Sequence, residues 1–404
     1  MPKIVHLTSV HVPADNRIFR KECAAAVAAG YEVVLIAPHT HDDVRSGVRI
    51  CAVPRPRNRY NRLTATIPAV AKAAVKERGD LYQFHDPELI PVGLMLRALG
   101  RNVVYDIHED YVKAVAQKPH IHRLLRSILA RLVGLAEALS CPHFDVVLAE
   151  KCYRQRFPRG TFILNYPVLA DFRRFSAQIC NAPAPRVLYT GGIAVERGAL
   201  NHVQLLHQIP DIEVFLVGRC SVEMAHMLRE HAGAHTDRLH IVGEGRFVPF
   251  EEIIEYYSRG GWLAALALFP RTPHYEEKEL TKFFEYMAAG IPIVCSNFPV
   301  WQRLIEAQGV GVCVEPQQVG SFAKKIWYLR NHREEARAMA LRGLALARQF
   351  SWEAESVKLM RLYTNVLRRR RSKTAAGLPK VDERQVGISD QPTVGDSFNR
   401  STPR

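Results

Sequence analysis

The sequence predicts an α/β protein made of two doubly wound parallel sheets, one after the other along the chain, facing a cleft. Two observations predict it. Short apolar runs alternate with helical stretches from about residue 3 to residue 300, and a non-periodic break with two prolines divides them near residue 180. That rhythm implies parallel strands, because parallel neighbours need a long crossover, usually a helix. At 404 residues the chain is long enough for two separate cores.

In the first half, Ile4–Leu7, Val33–Ile36, Leu81–Phe84, Val103–Asp106 and Val146–Leu148 read as short strands buried on both faces. Phe19–Ala29 and Leu124–Leu139 read as helices. The second of these carries apolar residues at 124, 125, 128, 129, 132, 135, 136 and 139, beside Arg123, Arg126 and Arg131. It suits a basic amphipathic helix on a membrane, but its place in the alternation favours packing on the sheet. Ser176–Pro185 reads as a linker. A second strand set follows: Val187–Tyr189, Val214–Val217, His240–Val242, Leu263–Leu268 and Ile293–Cys295. Before the last of these, Thr281–Ala289 has Phe283, Phe284 and Met287 at helical spacing, and Gly290 and Pro292 end the helix. The expected domains are therefore residues 1–175 and 187–351, joined by 176–186. Residues 368–404 form a basic tail with too little apolar content to fold alone.

Composition narrows the function. Residues 1–175 hold 26 Lys/Arg against 16 Asp/Glu, residues 176–367 hold 20 of each, and residues 368–404 hold 9 against 4. A basic half beside a neutral half suits approach to an acidic surface, such as an anionic membrane, more than a nucleic-acid coat. No aromatic-basic stacking pattern for nucleic acid is present. The eight cysteines (23, 51, 141, 152, 180, 220, 295, 313) are scattered without a Cys-x-x-Cys pair, so neither a zinc site nor a disulfide framework is expected. No apolar run approaches the roughly 20 residues that span a bilayer. The first residues read as a strand rather than a signal peptide, and a cytoplasmic location is expected.

The candidate chemistry centres on Glu277 and Glu285, with Lys282 between them. The helix beginning near Thr281 points its free N–H groups at the loop before it, which favours an anion there. Two carboxylates could then hold the hydroxyls of a sugar nucleotide while Lys282 neutralises its phosphates. Gly191-Gly192 follows the first strand of the second half and lets backbone approach a phosphate closely. Arg197, just beyond, offers a forked charge-assisted contact. In the first half, His108 lies past a strand end, where a doubly wound sheet presents side chains to its cleft. Asp106 and Glu109 accompany it, and His85 ends the preceding strand in the same manner. Asp15 and Arg17 occupy the first strand-to-helix loop; Asp15 either borders the cleft or caps the helix. No Gly-x-Gly-x-x-Gly, Walker, His-Glu-x-x-His or Gly-x-Ser-x-Gly motif is present.

The run Glu277-x7-Glu285 with Glu285-Tyr-Met-Ala-Ala-Gly-Ile-Pro-Ile-Val294 resembles the corresponding motif of retaining GT-B glycosyltransferases of family four. The segments beginning at His6, Phe84, Tyr105 and Tyr189 resemble, in the same order, motifs of bacterial polysaccharide-building members. The resemblance covers about residues 3–367. It implies a GT-B fold in which the first domain takes the acceptor and the second a nucleotide-diphosphate sugar. It also implies that the helix near Trp352–Leu367 crosses back to the first domain. Glu285 would hold ribose hydroxyls, and Glu277 the sugar or its developing oxocarbenium charge. Arg197 and Lys282 would take the diphosphate, and His108 would complete the site from the other domain. Transfer would proceed with retention, without a metal cofactor, to a glycan or lipid-linked acceptor in surface polysaccharide synthesis. One departure stands out: the early loop position, Arg in many members, is Gly191 here. That leaves two rivals, a sugar-nucleotide epimerase of the same fold and a non-catalytic scaffold.

Overall fold

The computed structural model describes residues 1–112, 122–172, 185–316 and 318–376. The expected linker, apart from residues 185 and 186, and the expected tail beyond residue 376 lie outside the described residues.

The first sheet has eight strands: β1 (Lys3–Leu7), β2 (Glu32–Pro38), β3 (Asp43–Arg45), β4 (Val48–Val53), β5 (Leu81–Phe84), β6 (Asn102–Ile107), β7 (Asp145–Leu148) and β8 (Thr161–Phe162). Their order is β3-β4-β2-β1-β5-β6-β7-β8. Neighbours are parallel except β3 and β4, an antiparallel hairpin. Its two-residue turn has positive φ at both Ser46 (49°) and Gly47 (78°), the turn whose twist matches paired strands. The second sheet has six parallel strands: β9 (Arg186–Thr190), β10 (Glu213–Cys220), β11 (Leu239–Glu244), β12 (Trp262–Ala267), β13 (Ile293–Ser296) and β14 (Gly311–Val314). Their order is β11-β10-β9-β12-β13-β14. In each sheet the chain winds outward in both directions from its first strand, β1 or β9. The loops leaving those two strands therefore open onto the crevice at the strands' C-terminal ends, where doubly wound sheets take ligands.

Helices cover both faces. One side of the first sheet packs against helices Ile67–Glu77 and Ile90–Ala98, through Val70, Ala74, Leu89, Val92 and Leu96. The other side packs against the segment Ile18–Ala28 and the last helix, Trp352–Ala376, which buries Trp352, Leu359, Tyr363 and Val366 there. Burying each such side chain stabilises the fold by roughly 1.5–3 kcal/mol. Tyr363 also donates its hydroxyl to Gln83 Oε1 at 2.6 Å, and Glu355 accepts from the Leu164 amide at 2.9 Å. This helix runs on to Ala376 rather than ending at residue 367, because Arg, Lys and Ala are good helix formers.

The helix Arg123–Ser140 departs from expectation. It does not bury its apolar stripe on the sheet: Leu125, Ile128, Leu132, Leu135 and Leu139 are 50–67% exposed. The inward face is held by a polar anchor instead. Buried Glu137 accepts from Tyr105 Oη at 3.1 Å and from Arg156 Nη2 at 2.6 Å. Helical spacing then turns the leucines outward.

Candidate active site between the two domains

The second domain builds a phosphate-sized cradle from its first strand turn and one helix. β9 ends at Thr190, and the chain bends through Gly191, whose φ of 107° is open to glycine and strained for other residues. A Cβ on Gly218 would lie 2.0 Å from the Gly191 carbonyl oxygen, so β10 and this turn pack backbone to backbone. Lys282, in the first turn of helix Thr281–Ala288, reaches beneath the turn, with Nζ 3.3 Å from where a Gly191 Cβ would stand. Its ammonium sits 3.7 Å from the Tyr189 ring centroid and 5.2 Å from that of Phe269. That ammonium is buried and has no hydrogen-bond partner. Burial, and then the neighbouring Arg197, hold its pKa well below the usual lysine range. Arg197 brings Nη1 within 3.0 Å of a Cβ position on Gly192. Two cations therefore converge on a glycine turn at a helix start, an arrangement suited to a diphosphate.

Glu285 lies on the same helix, buried, and accepts a 2.8 Å hydrogen bond from Tyr257 Oη. Burial pushes its carboxyl upward, while Tyr257, Lys21 and Lys282 draw it back. Lys21 comes from the first domain, donates to Asn165 Oδ1 at 2.7 Å, and is pushed down to about 7 by burial, with Glu285 opposing.

The main cleft, about 820 Å³, lies between the domains. His11, Asp15, Arg17 and His108 line it from the first; Glu279, Thr281 and Phe284 from the second. Asp15 fills both roles the sequence left open. Its Oδ1 accepts from the amides of Arg17 and Ile18, both at 2.9 Å, while Oδ2 lies 3.1 Å from His11 Nδ1. His11 loses by burial but gains more from Asp15 and Asp86, and is raised to about 9, so it is a cation at neutral pH.

His85 and Asp106 stand differently from the expectation that they face the cleft. Both are fully buried beneath its wall, because they end strands in the sheet interior. Asp106 takes a forked pair from Arg17, at 3.2 and 2.9 Å, and lies 2.6 Å from His108 Nε2 and 3.2 Å from His85 Nδ1. Burial keeps His85 neutral, at about 4, despite Asp106. Both contact His108 from beneath the wall, His85 Nδ1 at 3.2 Å and Asp106 Oδ2 at 2.6 Å from its Nε2. Among the described residues, the ligand atoms of His85, Asp106 and His108 lie within 4.8 Å of one another, as do those of His6, Glu22 and His85, a spacing that a metal ion also accepts.

Glu277 lies in the loop before helix Thr281–Ala288, as expected, but lines a pocket beside the main cleft. It follows the short turn Pro273–Glu276 and lines a side pocket of about 380 Å³ with Glu150, Lys151, Gln155 and Arg303, while Glu279 faces the main cleft. The loop is held there by ion pairs from Lys278 to Glu150 at 3.1 Å and from Lys151 to Glu279 at 3.0 Å. Sequence reasoning missed His11, Tyr257, Glu150 and Glu279. The His11-x3-Asp15 spacing was there to find; the others meet the site only through tertiary contacts.

Comparison with known proteins agrees with this arrangement. Residues 16–150 match the model of the glycosyl transferase 4-like domain, and residues 184–332 that of glycosyl transferases group 1. O-antigen chain mannosyltransferase B of Escherichia coli is 28% identical over 127 residues, which cover 28% of this chain and 32% of that protein. Among solved structures, sucrose-phosphate synthase of Thermosynechococcus elongatus superposes with a TM-score of 0.68 at 20% identity, covering 93% of this chain and all of that one. WaaG, a glycosyltransferase involved in lipopolysaccharide biosynthesis, gives 0.67 at 16% identity, covering 88% and 98%. Anabaena HepE, solved with UDP-glucose, gives 0.67 at 14% identity, covering 90% and 99%. The two matched models, in order and one on each sheet, together with the paired doubly wound domains, show that this chain belongs to the GT-B glycosyltransferases of family-four type.

Proposed function

We propose that the protein transfers a sugar, with retention, from a nucleotide-diphosphate sugar to a glycan or lipid-linked acceptor in surface polysaccharide assembly. The carrying observation is Lys282: a buried ammonium with no hydrogen-bond partner, beneath the Gly191-Gly192 turn and beside Arg197. Burial and Arg197 depress the Lys282 pKa because a charge there has no partner, and a ligand that supplies the counter-charge favours its ammonium form. In this reading Lys282 and Arg197 take the diphosphate and stabilise it as it leaves. Glu285 accepts from the ribose hydroxyls, fixed for that task by Tyr257. The loop carrying Glu277 meets the sugar. His108, oriented by Asp106, faces the reacting carbon from the other domain, and domain closure excludes water.

The reading places the leaving-group charge on side chains rather than on a metal ion, so EDTA should leave turnover unchanged. The acceptor enters from the first domain. Its exposed stripe Leu125, Ile128, Leu132, Leu135 and Leu139 belongs to a helix whose Leu129 and Val133 line the cleft. Exposed Arg55, Arg57 and Arg59 lead into the same cleft, which Arg59 and Arg62 line. Apolar and basic groups together suit a bilayer surface bearing anionic lipid, and we place the protein at the cytoplasmic face of such a membrane. No helix among the described residues is long and apolar enough to cross one.

The test is a panel of nucleotide sugars with lipid-linked and free glycan acceptors. Product of retained anomeric configuration from one donor supports the reading. Free rearranged sugar formed from donor alone would point to an epimerase, and binding without turnover on any acceptor to a scaffold.

A further inference from the structure

Two adjacent ion pairs join the domains at the partition between the main cleft and the side pocket. Glu150 and Lys151 follow β7 in the first domain; Lys278 and Glu279 precede helix Thr281–Ala288 in the second. Glu150 Oε1 lies 3.1 Å from Lys278 Nζ, and Lys151 Nζ lies 3.0 Å from Glu279 Oε1. A Glu-Lys dipeptide thus faces a Lys-Glu dipeptide in register. A slip of one residue would set Glu150 against Glu279, or Lys151 against Lys278.

The pairs are unequal. The side chains of Lys278 and Glu150 are only 14% and 20% exposed, whereas Lys151 is 47% exposed. An open pair alone contributes little; the inner pair, shielded from water, carries most of the attraction. Burial pushes the Glu150 carboxyl upward and Lys278 draws it back. The loop is also tied to its own domain, because fully buried Trp301 donates Nε1–H to the Lys278 carbonyl at 2.7 Å. The ion pairs therefore register the first domain against a fixed point of the second. Glu150 and Glu279 line both pockets, and Glu277 lies on the far side of the partition from the main cleft.

We propose that this double ion pair is an interdomain clasp that sets the position of the Glu277–Leu280 loop, making Glu150 and Lys151 positioning residues for the transfer step. Its effect on turnover rests on the glycosyltransfer reading; its effect on the loop does not.

Reversing a dipeptide tests the clasp at constant net charge. The variants are E150K/K151E, K278E/E279K and the two combined. Hydrogen exchange of amides 276–281 reads the loop, and kcat and KM for the donor read the reaction. Each single reversal should speed exchange there and lower kcat about tenfold, since small misplacements of reacting groups are costly. The affinity for the nucleoside diphosphate should hold, because Lys282 and Arg197 are untouched. The combined variant should return both readouts to within about threefold of the parent, as expected for a pairwise coupling. The clasp is overturned if a single reversal leaves exchange at 276–281 unchanged, or if the combined variant is as altered as either single one. A wild-type protein that turns over no nucleotide sugar would sink the functional reading, while the exchange result would still decide the clasp.

Discussion

The two walls of the cleft handle charge in opposite ways. On the first-domain wall, Asp106 is enclosed by Arg17, His85 and His108, and Asp15 by two amides and His11. Asp106 and Asp15 are each partnered inside the protein, and these contacts fix where His108 and His11 point, while Arg17 Nη1 on the same wall is buried with no hydrogen-bond partner. On the second-domain wall, Lys282 has neither carboxylate nor carbonyl within hydrogen-bonding reach, only aromatic faces. In the proposed function the partnered carboxylates of the first wall position His108 and His11 toward the reacting carbon, and the unpartnered Lys282 of the second takes the anion.

The comparison can be broken first at Glu285. Glu285→Gln keeps the shape but loses the charged acceptor, and should lower kcat/KM for the donor by about 10²-fold, assayed at saturating acceptor. Its Tm should hold or rise, because a buried carboxylate is removed. An unchanged kcat/KM would remove Glu285 from the donor wall.

Gly218→Ala perturbs the same wall without touching a ligand. The new Cβ would stand 2.0 Å from the Gly191 oxygen at a φ of 152°, so the turn beside Lys282 must shift. A loss of roughly 1–3 kcal/mol in unfolding free energy and weaker nucleotide binding are expected, by denaturant titration and calorimetry.

The outer face of the first domain gives a smaller effect on stability and a separate one on location. Ile128→Glu with Leu132→Glu changes side chains that are already 53% and 56% exposed, so unfolding free energy should move by no more than about 0.5 kcal/mol. Co-sedimentation with vesicles containing anionic lipid should be lost. Retained sedimentation would place membrane contact elsewhere.

A pH-dependent effect on stability concerns His11. Its pKa is raised from the ordinary 6.5 to about 9, so its pairing with Asp15 and Asp86 stabilises the fold fully below about pH 6.5. That contribution fades as pH rises through about 9. A His11→Asn variant should therefore melt a few degrees below the parent at pH 6 and converge with it at pH 10. A gap that widens with pH would reverse the assignment.

The fold was legible because buried parallel strands are written as contiguous apolar runs. Leu81–Phe84 is read with the bounds the structure gives, and β9, β10, β12 and β13 differ only at their ends. The strands missed were β3, β8 and β14, at sheet edges, and β4, the inner partner of β3. β3 and β8 are short and only partly buried, and the hairpin of β3 and β4 was announced by Ser46-Gly47 but not read. The convergence of Lys282, Glu285 and the glycine turn was legible because it is local, one loop and one helix start. The first-domain wall was less so: a strand-end His or Asp looks alike in sequence whether it faces the cleft, as His108 does, or lies beneath it, as His85 and Asp106 do. The side-pocket position of Glu277 was not legible, because it depends on the ion pairs of Lys278 and Glu279 that hold its loop. The helix Arg123–Ser140 failed because the anchor at Glu137, which turns its leucines outward, depends on Tyr105 and Arg156.

The central claim is that Lys282 is kept unpaired for a diphosphate, and Lys282→Met tests it most directly by thermal unfolding with and without nucleoside diphosphates. Removing a buried unpaired ammonium should raise the Tm of the free protein, while the stabilisation that a nucleoside diphosphate gives the parent should largely vanish. A Lys282→Met protein that melts lower than the parent, yet gains as much from the same nucleotide, would contradict the account.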